Sequence, residues 1–143
     1  MLVQQLTFSA SIILPDAPIQ DDMDIIMFVI DWELTQLGVP SVDFGQMIAE
    51  MYALWLYKGI TAGLWMMKGL VKGYGGVADE FAFRTLIQTG AHLLCTTTTF
   101  PGWGTPEQVE EVARVGRNII VNAWKQDRSW FEKSDLVCLF NPV

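Results

Sequence analysis

The chain has 143 residues, of which 51% are apolar and 17% charged, and its formal net charge at pH 7 is −7. This length suits one domain, and the acidic balance would repel a phosphate backbone, so nucleic acid is excluded as a main partner. Glu50, Lys58 and Lys68 interrupt the most apolar stretch, so we expect no transmembrane helix and no membrane partner. The N-terminus lacks the basic residues of a signal or transit peptide, which favours a cytoplasmic protein.

Two short apolar runs with β-branched residues open the chain, at 11–14 and 25–30. Pro15, Pro18 and a cluster of acidic residues separate them. Apolar runs of this length, bounded by turn-forming residues, are typical of short strands. We therefore predict an N-terminal β-hairpin within residues 1–33.

Helical periodicity begins at residue 41. Apolar residues recur with a period near 3.6 from Phe44 to Trp55, and other apolar residues fill the opposite side. A helix that is apolar nearly all round belongs in the centre of the core. Lys58 and Gly59 form a basic last turn and a C-terminal glycine, which predicts the end of this helix.

Three or four further helices follow. The patterns predict helices at about 61–74 and 79–95, a loop at 96–104, and a helix that Thr105, Pro106 and Gln108 begin with a capping box. Its predicted buried stripe ends on Trp124, and a short last helix is predicted around 127–133. We thus predict a mainly-α single domain over 1–143, in which the hairpin precedes a bundle of four to five helices over 41–143.

Few side chains outside this core pattern suggest chemistry. His92 is predicted on the exposed side of its helix as a structural or surface residue. Cys95 and Cys138 have no metal-ligand spacing and apolar neighbours, so we predict two buried free thiols. The apolar share of the chain also predicts self-association through exposed apolar surface.

Two carboxylates lie at the junction between strand and helix. Asp31 ends the second apolar run, where a rigid strand end could hold Mg²⁺ against nucleotide phosphates. Asp43 begins the central helix, either as a cap with Gln46 three residues on or as a functional acid. Residues 43–45 spell the magnesium motif of protein kinases, but no apolar strand leads into them, so we interpret the match as coincidence.

Segments 29–33, 38–40 and 43–47 together resemble the aminoglycoside phosphotransferase and choline kinase-like superfamily, in its fungal type. There an Ile-Asp-Trp/Phe-Glu strand end precedes a Gly-x-Pro loop and an Asp-Leu-Gly/Ala helix start. The resemblance implies a helical unit like the C-terminal lobe of a protein kinase-like fold, with ATP and Mg²⁺ as cofactors and a small-molecule hydroxyl as acceptor in intact relatives. It implies Asp31 as metal ligand, Asp43 as a buried structural acid and Glu33 as an acid near the substrate.

The chain departs from the family at its catalytic loop. Counting back from residues 11–15, Ser11 occupies the family's asparagine position, Leu6 the catalytic aspartate and Gln4 the histidine. We find no catalytic residue and expect the nucleotide-binding lobe to be absent. The chain is then a C-terminal fragment that is inactive and binds no cofactor alone. A degenerate pseudokinase-type binding or scaffolding domain is the alternative, and a plain helical interaction protein, with Asp31 and Asp43 as caps, is a third.

Overall fold

A computed structural model of the protein describes residues 3–4, 12–13, 28–29, 36–99 and 102–141. The helices it describes are α1 (Pro40–Lys58), α2 (Ala62–Gly73), α3 (Asp79–Thr99), α4 (Pro106–Trp124), α5 (Arg128–Phe131) and a 3₁₀ helix (Val137–Leu139). The prediction of a mainly-α chain is confirmed. Within the described ranges, no helix combines the length and the apolarity that crossing a bilayer requires.

The predicted N-terminal β-hairpin is wrong. The strands are two-residue segments: β1 (Val3–Gln4) pairs with β4 (Gln36–Leu37), and β2 (Ile12–Ile13) pairs with β3 (Phe28–Val29), in two separate antiparallel ladders. From residue 38 onward every described element is helical. A ladder of two residue pairs has too few hydrogen bonds and cross-strand contacts to form a stable hairpin. Short apolar runs do not by themselves specify a hairpin, which explains the error.

Helix α1 forms the centre of the molecule, as its sequence predicted. It contacts α2, α3, α4 and β1, and Ile48 and Ala49 are completely buried. It ends at Gly59, which has the left-handed φ of 63° that favours glycine, while the Ile60 N–H donates to the Leu54 carbonyl at 3.2 Å. The prediction of a glycine-terminated central helix is confirmed.

Helices α3 and α4 pack closely against each other. They meet at Gly90 and Gly116, where a Cβ atom added to Gly90 would lie 2.5 Å from the Gly116 carbonyl oxygen. Glycine is therefore required there, because only a residue without a side chain permits this approach of the two backbones.

The C-terminus of α3 and the N-terminus of α4 can be compared with the loop and the capping box that the sequence predicted there. Helix α3 continues to Thr99, so the predicted loop at 96–99 is wrong; the low helix propensity of threonine is a weak preference that the surrounding fold overrides. The predicted capping box of α4 is confirmed, since the Thr105 hydroxyl accepts from the Gln108 N–H and the Gln108 side chain accepts from the Thr105 N–H at 2.9 Å.

The C-terminal elements close the bundle with aromatic side chains. Phe83 of α3 lies 5.1 Å from Phe140 and 6.3 Å from Phe131, measured between ring centroids. Arg128 lies over the Phe140 ring and donates to Asp79 at 3.0 Å. The segment after α4 is thereby fixed to the start of α3.

Two predictions of burial are wrong. Trp124, predicted in the buried stripe of α4, is 80% exposed, and Ile119 is completely buried on that helix instead. Trp124 is the last residue of α4 and directly follows the buried Ala123. Cys138 is a buried free thiol as predicted, whereas Cys95 is exposed.

The glycine contact between α3 and α4 gives a stability prediction. Gly90→Ala places a methyl group against the α4 backbone, so we expect a loss of about 1–3 kcal/mol in the free energy of unfolding. Gly69→Ala is the matched control, because a Cβ atom there meets nothing within 4 Å and alanine favours a helix interior by about 0.5–1 kcal/mol. Urea denaturation measures both. Equal stability of the two variants would contradict the close contact.

Candidate functional site

Asp43 lies in the first turn of α1 and does not cap it. The helix begins at Pro40, and its N-cap residue, Val39, has an extended backbone and makes no side-chain capping bond. The Asp43 side chain is half-buried, and its Oδ1 atom is fully buried. The interpretation of Asp43 as a cap is therefore wrong. A carboxylate in the first turn also interacts favourably with the helix dipole.

Helix α3 fixes the first turns of α1 in place. A Cβ atom on Gly45 would lie 2.6 Å from the Thr85 carbonyl oxygen, so α1 and α3 are close here too. The Thr89 hydroxyl lies 3.0 Å from both the Gly45 and the Thr85 carbonyl oxygens and is completely buried. The backbone that carries Asp43 is therefore held by contacts at Gly45, two residues further along α1.

Residues 43–45, which spell the protein-kinase magnesium motif, serve helix packing. Phe44 is buried and its ring centroid lies 4.9 Å from that of Tyr74 and 5.7 Å from that of Phe81. Gly45 lies against α3. Phe44 and Gly45 thus have core contacts on a helix, and the letters do not form a loop that presents an aspartate to a metal.

The other predicted site residues lie outside the described residues. These are the proposed metal ligand Asp31, the substrate-side acid Glu33, and Leu6 and Ser11 at the family's catalytic positions. The roles assigned to them stay predictions. Near these positions the structure describes the short strands β1 to β4, and of these β1 contacts α1.

The described residues do not by themselves fit a Mg²⁺ ion. Within the described ranges, no three His, Cys, Asp or Glu side chains come close enough together to hold a metal. Magnesium requires near-octahedral coordination by hard oxygen atoms, commonly including one or two carboxylates. The described residues, Asp43 among them, therefore do not offer such a set of ligands.

The structure contains a buried ion-pair geometry that the sequence did not predict. His92 of α3 places Nε2 2.7 Å from Glu50 Oε1 of α1, and the two side chains are only 16% and 14% exposed. His92 was predicted on the exposed side of its helix, whereas it faces α1. The signal available in the sequence was Glu50, a charged residue in a helix that is otherwise apolar nearly all round, because a buried charge requires a partner.

Asp135 provides a second polar contact to α1. Its Oδ2 atom accepts from the Tyr52 hydroxyl at 3.3 Å and from the Trp55 indole N–H at 3.1 Å. Burial, and then the charge and hydrogen bond of Asp135, raise the pKa of Tyr52 above its usual value. Tyr52 therefore remains a neutral hydrogen-bond donor throughout the physiological pH range.

Comparisons with known proteins find two relatives that are named as a phosphotransferase and a kinase. Phosphotransferase FrzJ of Cladobotryum sp is 26% identical over 133 residues, which are 93% of this chain and 34% of FrzJ. The 4-hydroxytryptamine kinase of Psilocybe cyanescens is 27% identical over 105 residues, 72% of this chain and 29% of that protein. The chain thus spans about a third of the length of these relatives. No family model and no solved structure matches it. These similarities support a phosphotransferase or kinase-like relationship.

The burial of Asp43 predicts a cost for removing its charge. We expect Asp43→Asn to lower the free energy of unfolding by about 1–3 kcal/mol, because one oxygen of the carboxylate is fully buried and an amide group would place an N–H donor in the carboxyl group. Asp127→Asn is the matched control: Asp127 caps α5 by accepting from the Trp130 N–H, and asparagine caps almost as well. Denaturant melts that show both variants neutral would contradict the structural role of Asp43.

The Glu50–His92 contact predicts energetic coupling between α1 and α3. In a double-mutant cycle with Glu50→Ala and His92→Ala, we expect a coupling energy of about 1–2 kcal/mol, since a shielded hydrogen bond to a charged group contributes more than an exposed one. The exposed pair Glu80–Arg84, with side chains 75% and 62% exposed, should couple by only about 0.3–0.5 kcal/mol. Equal coupling energies in the two cycles would show that burial does not strengthen the Glu50–His92 interaction.

Proposed function

We propose that this chain contributes the helical part of an aminoglycoside phosphotransferase-like kinase, which transfers a phosphoryl group from ATP to a hydroxyl group of a small molecule. The observation that carries the proposal is the similarity to a phosphotransferase over 93% of the chain. A second relative named as a kinase supports it over 72% of the chain. Both names describe transfer of a phosphoryl group.

The proposal gives the two junction acids different tasks. Asp31 contributes a hard oxygen ligand to Mg²⁺, which neutralises charge on the nucleotide phosphates when it is bound. Asp43 is a positioning residue: its half-buried side chain at the head of α1 supports a structural task. Phosphoryl transfer depends mainly on such positioning and on charge neutralisation. Glu33 lies two residues after Asp31 and is assigned to the acceptor side.

The acceptor class that we propose is a small hydroxylated amine. The name of the 4-hydroxytryptamine kinase states an acceptor with a hydroxyl and an amine group. The net charge of −7 on this chain attracts a cationic amine at long range. An acid such as Glu33 would then recognise the ammonium group directly.

Residues 6 and 11 predict that the chain alone is inactive. A leucine cannot accept the proton of the acceptor hydroxyl, and serine is a poor replacement for a metal-binding asparagine. We therefore expect the purified chain to show no ATP-dependent phosphorylation of choline, aminoglycosides or 4-hydroxytryptamine, measured by transfer of labelled phosphate. Turnover above background that Asp31→Ala abolishes would overturn the assignment of Leu6 and Ser11.

A chimeric enzyme tests the family assignment itself. In it, this chain replaces the matched stretch of the 4-hydroxytryptamine kinase, and ADP release is measured with and without 4-hydroxytryptamine. We expect the chimera to be inactive as it stands and to gain activity with Leu6→Asp and Ser11→Asn. Adding Asp31→Ala should abolish that activity, whereas Asp24→Ala, the matched control in the same segment, should not.

The chimera also separates the two main hypotheses. The replacements at Leu6 and Ser11 favour a pseudokinase-type binding or scaffolding domain as the second candidate. That candidate predicts a chimera that folds, with the helical content of its parent, and stays inactive even with Leu6→Asp and Ser11→Asn. Recovery of ADP release would support the phosphotransferase.

A further inference from the structure

Charge is strongly segregated along this acidic chain. Lys58, Lys68 and Lys72 are the only charged residues between positions 51 and 78, whereas all 16 acidic residues lie outside that segment. Lys58 ends α1, and the other two lie on α2. Across the part of the chain that the structure describes, none of the three lysines forms an ion pair.

The same helix exposes large apolar side chains. Helix α2 buries Gly63, Met67 and Val71 and turns its opposite side to solvent. On that side Trp65 is 69% exposed and Met66 is 47% exposed. Because Trp65 precedes Lys68 by one helical turn and Lys72 by two, the indole ring and the two ammonium groups share one surface.

The surface between these side chains is open. A Cβ atom added to Gly69 or Gly73 would meet nothing within 4 Å. Just before α2, Ile60 is 44% exposed. We define the α2 face by its five large exposed side chains: Ile60, Trp65, Met66, Lys68 and Lys72.

We propose that the α2 face docks on the surface of a bilayer that contains anionic phospholipids. Tryptophan prefers the boundary between headgroups and acyl chains, Met66 and Ile60 add apolar contact, and the lysines attract the lipid phosphates. The acidic remainder of the chain is repelled by the same surface, which orients α2 toward the bilayer. The sequence-based expectation of no membrane partner considered only a spanning helix.

The small area of the α2 face favours a bilayer over a protein as its partner. Helix α2 has 12 residues and is therefore about 18 Å long, so that its outer face covers only a few hundred Å². A stable protein complex buries about 800 Å² on each partner and needs a complementary shape. A bilayer adapts to a convex helix, so its binding requires neither this area nor a complementary shape.

Sedimentation of the full chain with lipid vesicles tests the proposal. We expect binding to mixed phosphatidylcholine–phosphatidylserine vesicles, weak binding to phosphatidylcholine alone, and loss of binding as salt is added. Lys68→Glu with Lys72→Glu should lower the partition coefficient roughly 25-fold or more, since each lysine near an anionic surface contributes about fivefold. Trp65→Ala should lower it roughly tenfold.

Matched controls address general effects of charge and of tryptophan removal. Trp124→Ala removes a tryptophan that is 80% exposed on α4, and Lys125→Glu with Lys133→Glu makes the same change in net charge away from α2. Both should leave vesicle binding unchanged, and circular dichroism checks that every variant is folded. Equal binding by the α2 variants, equal binding to neutral vesicles, or no binding to either kind of vesicle would overturn the proposal. Light scattering would also overturn the proposal if the chain self-associates without binding vesicles and Trp65→Ala abolishes this self-association. The occupant of the α2 face would then be a second copy of the chain.

Discussion

The structure depends on the burial of α1, a helix that is apolar nearly all round and still carries polar groups into the core. Burying a polar group without a partner costs several times what a typical hydrogen bond contributes. Each polar group that α1 brings inside therefore constrains the element that lies against it. Glu50 shows the constraint most clearly, because its carboxylate is only 14% exposed and meets His92 at 2.7 Å.

Different elements supply these partners, which fixes the arrangement of the bundle. Thr89 and His92 of α3 contact the Gly45 carbonyl and Glu50, which lie five residues, or about one and a half turns, apart on α1. Asp135 reaches Tyr52 and Trp55 from the C-terminal segment, and Gln108 of α4 donates to the Tyr57 carbonyl at 3.2 Å. A rotation or shift of α1 would break several of these bonds together. Such contacts define a single packing arrangement where apolar surfaces alone would permit several.

The sequence predicted the helices because their signals are local. The left-handed glycine at position 59 and the capping box at Thr105 act within one turn, so the pattern of neighbouring residues was sufficient. The errors occurred where a distant contact decides. Burial of His92 involves Glu50, a residue 42 positions away, and the sequence pattern did not distinguish Ile119, which is completely buried, from Trp124, which is 80% exposed. The hairpin prediction failed because short apolar runs do not by themselves specify strand pairing.

The candidate site was predictable in part for the same reason. Asp43 could be assigned to the head of α1 from the sequence, but no local pattern reveals that its Oδ1 atom is fully buried. The described side-chain contacts that hold α1 come from α3, α4 and the C-terminal segment. Each of these partners lies at least 42 residues further along the chain than the group that it contacts on α1. The position of α1 therefore depends on the packing of the described helices as a unit, which a pattern of neighbouring residues does not reveal.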